Sequence, residues 1–121
     1  GGELPEARHN ACQRIRKSIA AKPLYIAGHD RACSAINSAY GEAITVKTGA
    51  EGVYSAAFHE LGLGAVLKAR DGNKRGAEVA IGAVIRALGY PTDGLVKNFF
   101  EPKVLNWAGE EVGDITVPQF L

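Results

Sequence analysis

Three short runs rich in apolar and β-branched residues stand close together in the middle of the chain, and they constrain its fold most. They cover residues 43–47, 52–58 and 63–69, and the connectors between them, 48–51 and 59–62, are four residues long each. A parallel crossover needs a dozen residues or more, so connectors this short join neighbouring antiparallel strands. The sequence therefore predicts a three-stranded antiparallel meander.

Helical periodicity precedes the predicted meander. Apolar residues recur at helical spacing from Pro5 to about Ala21, and Pro23 ends this helix because the residue before a proline is pushed out of the helical region. A second, shorter helix is predicted from a cap at Asp30 to Gly41, a residue that suits the backbone conformation at a helix end. We therefore expect two helices before the sheet.

A third helix and a hairpin are predicted after the meander. Residues 74–88 carry a broad apolar face with small residues that allow close packing, and Gly89 and Pro91 end this helix. Residues 104–107 and 112–117 then predict the two strands of a hairpin. The order helix, helix, three strands, helix, hairpin predicts an α+β fold, with an antiparallel sheet packed with helices.

Composition and charge exclude several classes of protein. The chain has 121 residues, 22% of them charged, and a formal net charge of +1, which predicts a single domain over residues 1–121 that has no broad attraction to nucleic acid or anionic membranes. No apolar run reaches the ~18 residues that a membrane helix needs. With two cysteines and no apolar leader segment, we expect a soluble protein of the reduced cytoplasm.

The end of the first predicted strand carries the strongest chemical motif, Lys47-Thr48-Gly49. At a strand edge this motif can present an ammonium, a hydroxyl and an unobstructed backbone to a substrate. The ammonium could attract a substrate carboxylate or tune a neighbouring proton-transfer network, but the tripeptide alone is equally typical of an ordinary strand end. Glu51 follows at the turn, either as a buried carboxylate that keeps Lys47 charged or, as its spacing favours, as an exposed turn residue.

The cysteines and histidines offer less chemistry. Cys33 is predicted on the inner side of the second helix, either as a small buried hydrophobe or, if it lies near Lys47, as an activated thiol. Cys12 is expected in the core. The three histidines share no metal-ligand spacing with one another or with the cysteines, so we predict no metal site built from this chain alone.

Longer stretches around the motif carry a family resemblance. They are residues 23–31, 46–54 and 61–72, together with Arg75, Ala77, Glu78 and the closing pattern Asn106-x-x-Gly109-x-x-Val112-Gly113-x-Ile115. These stretches resemble the carboxy-terminal part of the bacterial L-asparaginase II family, the Rhizobium-type asparaginases. The resemblance covers nearly the whole chain from about Arg14 onward, and the Lys-Thr-Gly-Ala-Glu-Gly-Val core is its most specific part.

The resemblance implies a serine hydrolase of the β-lactamase and penicillin-binding-protein fold that hydrolyses L-asparagine to L-aspartate and ammonia. It implies that Lys47 is the active-site lysine of the strand. The substrate-binding residues that it implies are Thr48, Gly49, Glu51, Cys33 and Arg31. Arg31 would either support the pocket or pair with a carboxylate.

One part of the family's catalytic set is missing. The family's nucleophile lies in a Ser-x-x-Lys segment near its amino terminus, and no serine of this chain has a lysine at the third following position; the serines are Ser18, Ser34, Ser38 and Ser55. Zinc is possible in the full-length family, but the ligands lie upstream, so no cofactor is assigned to this chain. The resemblance therefore implies the C-terminal portion of a longer asparaginase, inactive alone, that acts with its missing N-terminal portion or as a homo-oligomer.

Two hypotheses of different classes remain. In the first, the chain contributes Lys47, Thr48 and Cys33 to an asparaginase active site that another polypeptide segment completes. In the second, it is a non-catalytic module on the same scaffold that binds a partner or self-associates. Exposed apolar surface or an unpaired sheet edge separates them, because a half-domain leaves such surface where the rest docks. Within the enzyme class, a glutaminase or a β-lactamase-like amidase is the nearest alternative.

Overall fold

The structure, a computed structural model, describes residues 4–118 and has the predicted α+β architecture. Three helices precede a meander of three strands, a fourth helix follows, and a short helical segment leads to a two-stranded hairpin. The elements are α1 (Glu6–Ala21), α2 (Leu24–Ala27), α3 (Ala32–Tyr40), β1 (Ile44–Thr48), β2 (Val53–Phe58), β3 (Leu63–Lys68), α4 (Lys74–Ala87), a 3-10 turn (Gly94–Val96), α5 (Lys97–Phe100), β4 (Lys103–Leu105) and β5 (Glu111–Asp114).

The meander forms one antiparallel sheet in the order β1-β2-β3, as predicted. Lys47 lies opposite Ser55, and Tyr54 lies opposite both Thr48 on β1 and Leu67 on β3. The predicted hairpin is also confirmed, but β4 and β5 form a second, separate sheet. The first sheet therefore has two outer edges, one along β1 and the other along β3.

The two faces of the first sheet differ because side chains alternate along each strand. The inner face is apolar and packs against α3 and α4, whereas the outer face is half-buried or exposed and carries Lys47, Val66 and Lys68. The buried core consists mainly of Cys33, Ile36, Ile44, Val46, Tyr54, Phe58, Ile81, Ile85, Val96 and Phe100. The core thus lies mainly between the sheet and the helices α3 and α4.

The fourth helix matches its prediction closely. Asn73 is the N-cap of α4 and accepts a hydrogen bond from the backbone N–H of Arg75 at 3.0 Å. The small residues of this helix allow close packing: a Cβ at Gly82 would overlap the ring of Phe100. This contact holds α5 against α4.

The first helix corrects a prediction. No residue of α1 is buried, and Cys12, which we expected in the core, is exposed. The side of α1 that is partly covered includes Arg16, whose Nε donates to the backbone oxygen of Glu42 at 2.9 Å, while Ile15 on the apolar stripe is 61% exposed. A polar contact therefore orients α1, and its apolar stripe points away from the core.

Two further local differences concern helix boundaries. The helix α3 begins after Arg31 instead of being capped by Asp30, which has a φ of +53° and forms part of the preceding turn. The short helices α2 and α5 lie in segments with no helical prediction, and both are four residues long. Within residues 4–118, no helix is long and apolar enough to cross a membrane.

Candidate functional site

Lys47 lies at the end of β1, the strand at one edge of the sheet. Its side chain is exposed, and Nζ donates to the backbone oxygen of Thr48 at 2.6 Å. Since Val46 points into the core, the alternation of a strand directs Lys47 to the outer face. Within residues 4–118 the ammonium forms no ion pair with a carboxylate, so its charge is open to a ligand.

Thr48 and Gly49 form the turn that leaves β1. The hydroxyl of Thr48 lies within hydrogen-bond distance of the backbone oxygens of Val53 and Gly49, at 3.1 and 3.2 Å, and its one hydrogen can be donated to either. The N–H of Gly49 donates to the oxygen of Val53 at 2.8 Å, and a Cβ at Gly49 would lie only 3.1 Å from the Cβ of Val53. The turn therefore leaves little room for a side chain at Gly49 and uses the hydroxyl of Thr48.

Glu51 lies in the same turn and is exposed, with a φ of +57°. Its backbone oxygen accepts a hydrogen bond from Nζ of Lys68 at 2.5 Å. The sequence left two alternatives for Glu51, a buried carboxylate and an exposed turn residue, and the structure shows the second. The turn lies at the surface, where within residues 4–118 nothing covers the carboxylate. Glu51 is thus near the motif in the chain without being paired to Lys47.

Cys33 is the second residue of α3 and is 1% exposed. Its Sγ accepts a hydrogen bond from the N–H of Thr48 at 3.1 Å and donates to the hydroxyl of Tyr54 at 3.3 Å. Burial, and then the hydrogen bond with Cys33, raises the pKa of Tyr54 above its ordinary range, so the phenol stays protonated. Cys33 therefore contacts the backbone of the motif from the inner side, whereas the side chain of Lys47 lies on the outer side.

Asn37, one helical turn after Cys33, is a residue that the sequence reasoning missed. It is fully buried, and its Nδ2 donates to the backbone oxygens of Cys33 and Val46 at 2.8 and 3.0 Å. Its Oδ1 accepts from the N–H of Val46 at 3.1 Å. The amide thus pairs with β1 as a neighbouring strand would. The available signal was an asparagine on the same helical face as Cys33 and Ile36, where an unpaired amide would be costly.

Arg31 and Glu78 add charge beside this cluster. Arg31 is exposed at the start of α3, and Glu78 is half-buried on α4. Burial raises the pKa of the Glu78 carboxyl, while the positive charges of Lys74 and Arg31 oppose that rise. Arg31 therefore acts on a carboxylate through space, although the ion pairs of residues 4–118 do not include it.

A cavity of the described chain lies away from the motif. It has a volume of about 640 Å³ and lies between α4, α5 and the C-terminal hairpin segment, with Val79, Phe100 and Ile115 in its lining. None of the six residues singled out in the sequence lines it. We place the candidate site at the motif because the chemistry is there: an exposed ammonium near a strand end, and a buried thiol of α3 that accepts a hydrogen bond from the backbone of the same strand.

No metal centre is found among the residues described. Residues 4–118 contain no group of three or more His, Cys, Asp or Glu side chains placed to hold an ion. Cys33 is buried and bonded to Thr48 and Tyr54, whereas Cys12 is exposed on the first helix. The donor set in this part of the chain therefore does not fit a zinc ion.

Comparison with known proteins identifies a family. A model of a protein family described as L-asparaginase II matches residues 2–117. Among curated proteins, none matches the chain.

Proposed function

Because the chain belongs to the L-asparaginase II family, we propose that it forms one wall of the active site of an asparaginase that hydrolyses L-asparagine to L-aspartate and ammonia. The observation that carries this proposal is the exposed ammonium of Lys47 at the end of an edge strand. In this position the charge can attract the carboxylate of a free amino acid and can lower the cost of negative charge that develops during amide hydrolysis.

The neighbouring residues have distinct roles in the proposal. Thr48 and Gly49 shape the rim of the pocket, because their turn holds the end of β1 open to the outer face. Cys33 supports the rim from the inner side through the N–H of Thr48. Arg31 keeps positive charge near the pocket, and Glu51 contributes to its rim as an exposed turn residue.

The nucleophile comes from another polypeptide segment in this proposal. The sequence contains no Ser-x-x-Lys, so the chain alone cannot complete the catalytic set of the family. The chain is then the C-terminal portion of a longer asparaginase with a β-lactamase-like fold. We derive no step through zinc, since the described cysteines do not form a site for it.

The outer face of the sheet supports a site in which this chain supplies Lys47 and another segment supplies the nucleophile. Lys47 and Lys68 are exposed on it, next to small half-buried residues such as Ser55 and Ala57. A second segment that covered this face would desolvate the ammonium of Lys47 and strengthen its interaction with a substrate. A purely non-catalytic module, the alternative class, has no need for an unpaired lysine at this point.

The test measures ammonia release with L-asparagine, with L-glutamine as the competing substrate. We expect no release by the 121-residue chain alone. When the segment encoded upstream is supplied, asparagine should be hydrolysed, and Lys47→Ala should lower kcat about a hundredfold or more. Lys97→Ala, an exposed lysine on α5, is the control and should leave kcat unchanged.

Three results would count against the proposal. Ammonia release by the chain alone that disappears in Lys47→Ala would mean that the nucleophile is within these residues. Unchanged turnover of Lys47→Ala in the completed enzyme would mean that this lysine has only a structural role. Faster release from glutamine than from asparagine would favour the glutaminase alternative.

A further inference from the structure

The amino end of α3 carries buried backbone donors that the described chain does not use. This nine-residue helix makes its first backbone hydrogen bond from the N–H of Ala35 to the oxygen of Arg31, at 3.1 Å. The three N–H groups before it belong to Ala32, Cys33 and Ser34, and within residues 4–118 they have no acceptor and no side-chain cap. These residues are 1%, 1% and 4% exposed, so their surroundings largely exclude water. Buried donors of this kind normally have a partner.

The side chain of Ser34 supplies a fourth donor at the same place. Among the buried side-chain nitrogen and oxygen atoms of residues 4–118, its hydroxyl is the one without a hydrogen-bond partner. Ser34 lies in the first turn of α3, where the Cα–Cβ bond tilts toward the amino end of the helix, so the hydroxyl is directed toward the unused N–H groups. An unpaired buried hydroxyl is costly. Four donors without partners therefore indicate an acceptor that comes from outside the described chain.

The charges around this end of α3 favour an acceptor with a single negative charge. A helix contributes about half a positive charge at its amino end, and the exposed guanidinium of Arg31 adds one more. Two carboxyls limit this total, since Asp30 precedes Arg31 in the chain and Glu78 on α4 feels the charges of Arg31 and Lys74. A doubly charged phosphate would thus be less well compensated than a carboxylate, whose two oxygens also match the planar guanidinium.

We propose that the amino end of α3 binds the carboxylate of a small free amino acid. The carboxylate oxygens accept from the unused N–H groups and from the hydroxyl of Ser34, as anions do at helix amino ends. Arg31 stands immediately before these donors and is exposed, so it pairs with the ligand from the solvent side. The identity of the ligand as an amino acid rests on the proposed function, whereas the unused donors exist without it.

Thr48 links this site to the exposed lysine of the motif. Its backbone oxygen accepts from Nζ of Lys47 at 2.6 Å, and its N–H donates to Sγ of Cys33, in the first turn of α3, at 3.1 Å. With the carboxylate held by α3, the ammonium of Lys47 keeps the second of the roles proposed for it, which is to oppose the negative charge that develops during amide hydrolysis.

Amide NMR shifts of the 121-residue chain test the site with sodium acetate and with L-asparagine, at an ionic strength held constant with sodium chloride. We expect saturable shifts of the Ala32, Cys33 and Ser34 amides with both probes and none with chloride alone. Ser34→Ala removes one hydrogen bond to a charged group and should raise Kd about tenfold or more. Ser38→Ala, an exposed serine one turn later on α3, is the matched control and should leave Kd unchanged. Arg31→Gln should raise Kd less than Ser34→Ala does, because an exposed ion pair contributes little.

Thermal unfolding separates a binding role of Ser34 from a structural one. Without a probe, Ser34→Ala should unfold at the same temperature as the wild type or at a higher one, because it removes an unpaired buried hydroxyl. With acetate or L-asparagine, the wild type should gain more in unfolding temperature than Ser34→Ala does. A lower unfolding temperature of Ser34→Ala without a probe would mean that the hydroxyl bonds to an internal water, and would overturn the proposal.

The binding measurements can overturn the proposal in other ways. No saturable shift with either probe, or the same Kd for the wild type and Ser34→Ala, would do so. Phosphate, used as a third probe, would contradict the preference for a single charge if it bound more tightly than acetate. Binding of acetate without binding of L-asparagine would overturn the assignment to an amino acid. Failure of the proposed function has a different sign, which is unchanged turnover of Lys47→Ala in the completed enzyme.

Discussion

The two edges of the central sheet are finished in opposite ways. Along β1, the side chains of Asn37 and Cys33 bond to the outward backbone groups of Val46 and Thr48, so helix α3 substitutes for a missing strand. Within residues 4–118, no residue of β3 is buried, and the side chain of Val66 is largely exposed. One edge of the sheet is therefore covered by α3, and the other edge is open.

This difference shows how one helix can both cover the edge of a sheet and hold a candidate motif in place. An amide offers a donor and an acceptor in the geometry of a peptide group, so Asn37 can bond to both backbone groups of Val46. The next outward group along the strand belongs to Thr48, inside the Lys-Thr-Gly motif, and it bonds to sulfur. The edge that α3 covers thus continues into the candidate site.

The largest effect is expected at Asn37. Asn37→Leu keeps the volume but leaves the N–H and C=O of Val46 buried without partners, so the free energy of unfolding should fall by about 3 kcal/mol or more. Val66→Thr on the open edge is the matched control and should change it by less than about 0.5 kcal/mol. Urea denaturation of dilute protein measures both. Equal effects at the two positions would remove the distinction between the edges.

A smaller effect is expected at Cys33. Cys33→Ala removes the acceptor of the Thr48 N–H, and the free energy of unfolding should fall by about 1–2 kcal/mol. Cys33→Ser keeps an acceptor and should restore part of the loss. Hydrogen exchange is the more direct measurement, since the Thr48 amide should exchange faster in Cys33→Ala than in Cys33→Ser. The same exchange rate in both variants would mean that sulfur acts only by packing.

The smallest effect concerns the half-buried carboxyl of Glu78, which lies near Arg31 at the start of α3. Because burial raises the pKa of this group, the folded state binds its proton more tightly than the unfolded state does. Its contribution to stability is therefore present in acid and is lost as the pH rises from about 4 through the raised pKa. The wild type should lose stability relative to Glu78→Gln over that range.

A series of thermal unfolding curves at different pH values measures this difference. Glu6→Gln, on the exposed first helix, serves as the control. The difference in stability between the wild type and Glu78→Gln could instead stay constant across the acid range. That result would contradict a raised pKa of Glu78 as the cause, since the other effects of the substitution do not vary with pH.

Much of the fold followed from the sequence because its signals were local. Short connectors dictated the meander, and the apolar period of residues 74–88 dictated α4. The position of α1 did not follow, because its spacing indicates an apolar stripe but not whether another element covers it. Cys12 was therefore placed in the core by pattern and lies outside it in the structure.

The candidate site was predictable in its residues but not in its arrangement. Lys47, Thr48 and Gly49 stand out as a motif, whereas the side of the strand on which Cys33 lies depends on how α3 docks. The position of Asn37 on the buried face of α3 was visible in the sequence, but its partner was not, because that pairing exists only where the helix meets an unpaired strand edge. The functional roles assigned to all six site residues stay predictions: Lys47, Thr48, Gly49, Glu51, Cys33 and Arg31.

The loosely attached first helix has a consequence for how the molecule comes apart. With no buried residue in α1, its opening exposes little apolar surface and costs far less than opening the sheet. A helix of 16 residues is also marginal in water without tertiary contacts. The unit that unfolds cooperatively therefore starts after Pro23, and α1 frays as an independent segment while Asn37 still holds the sheet to α3.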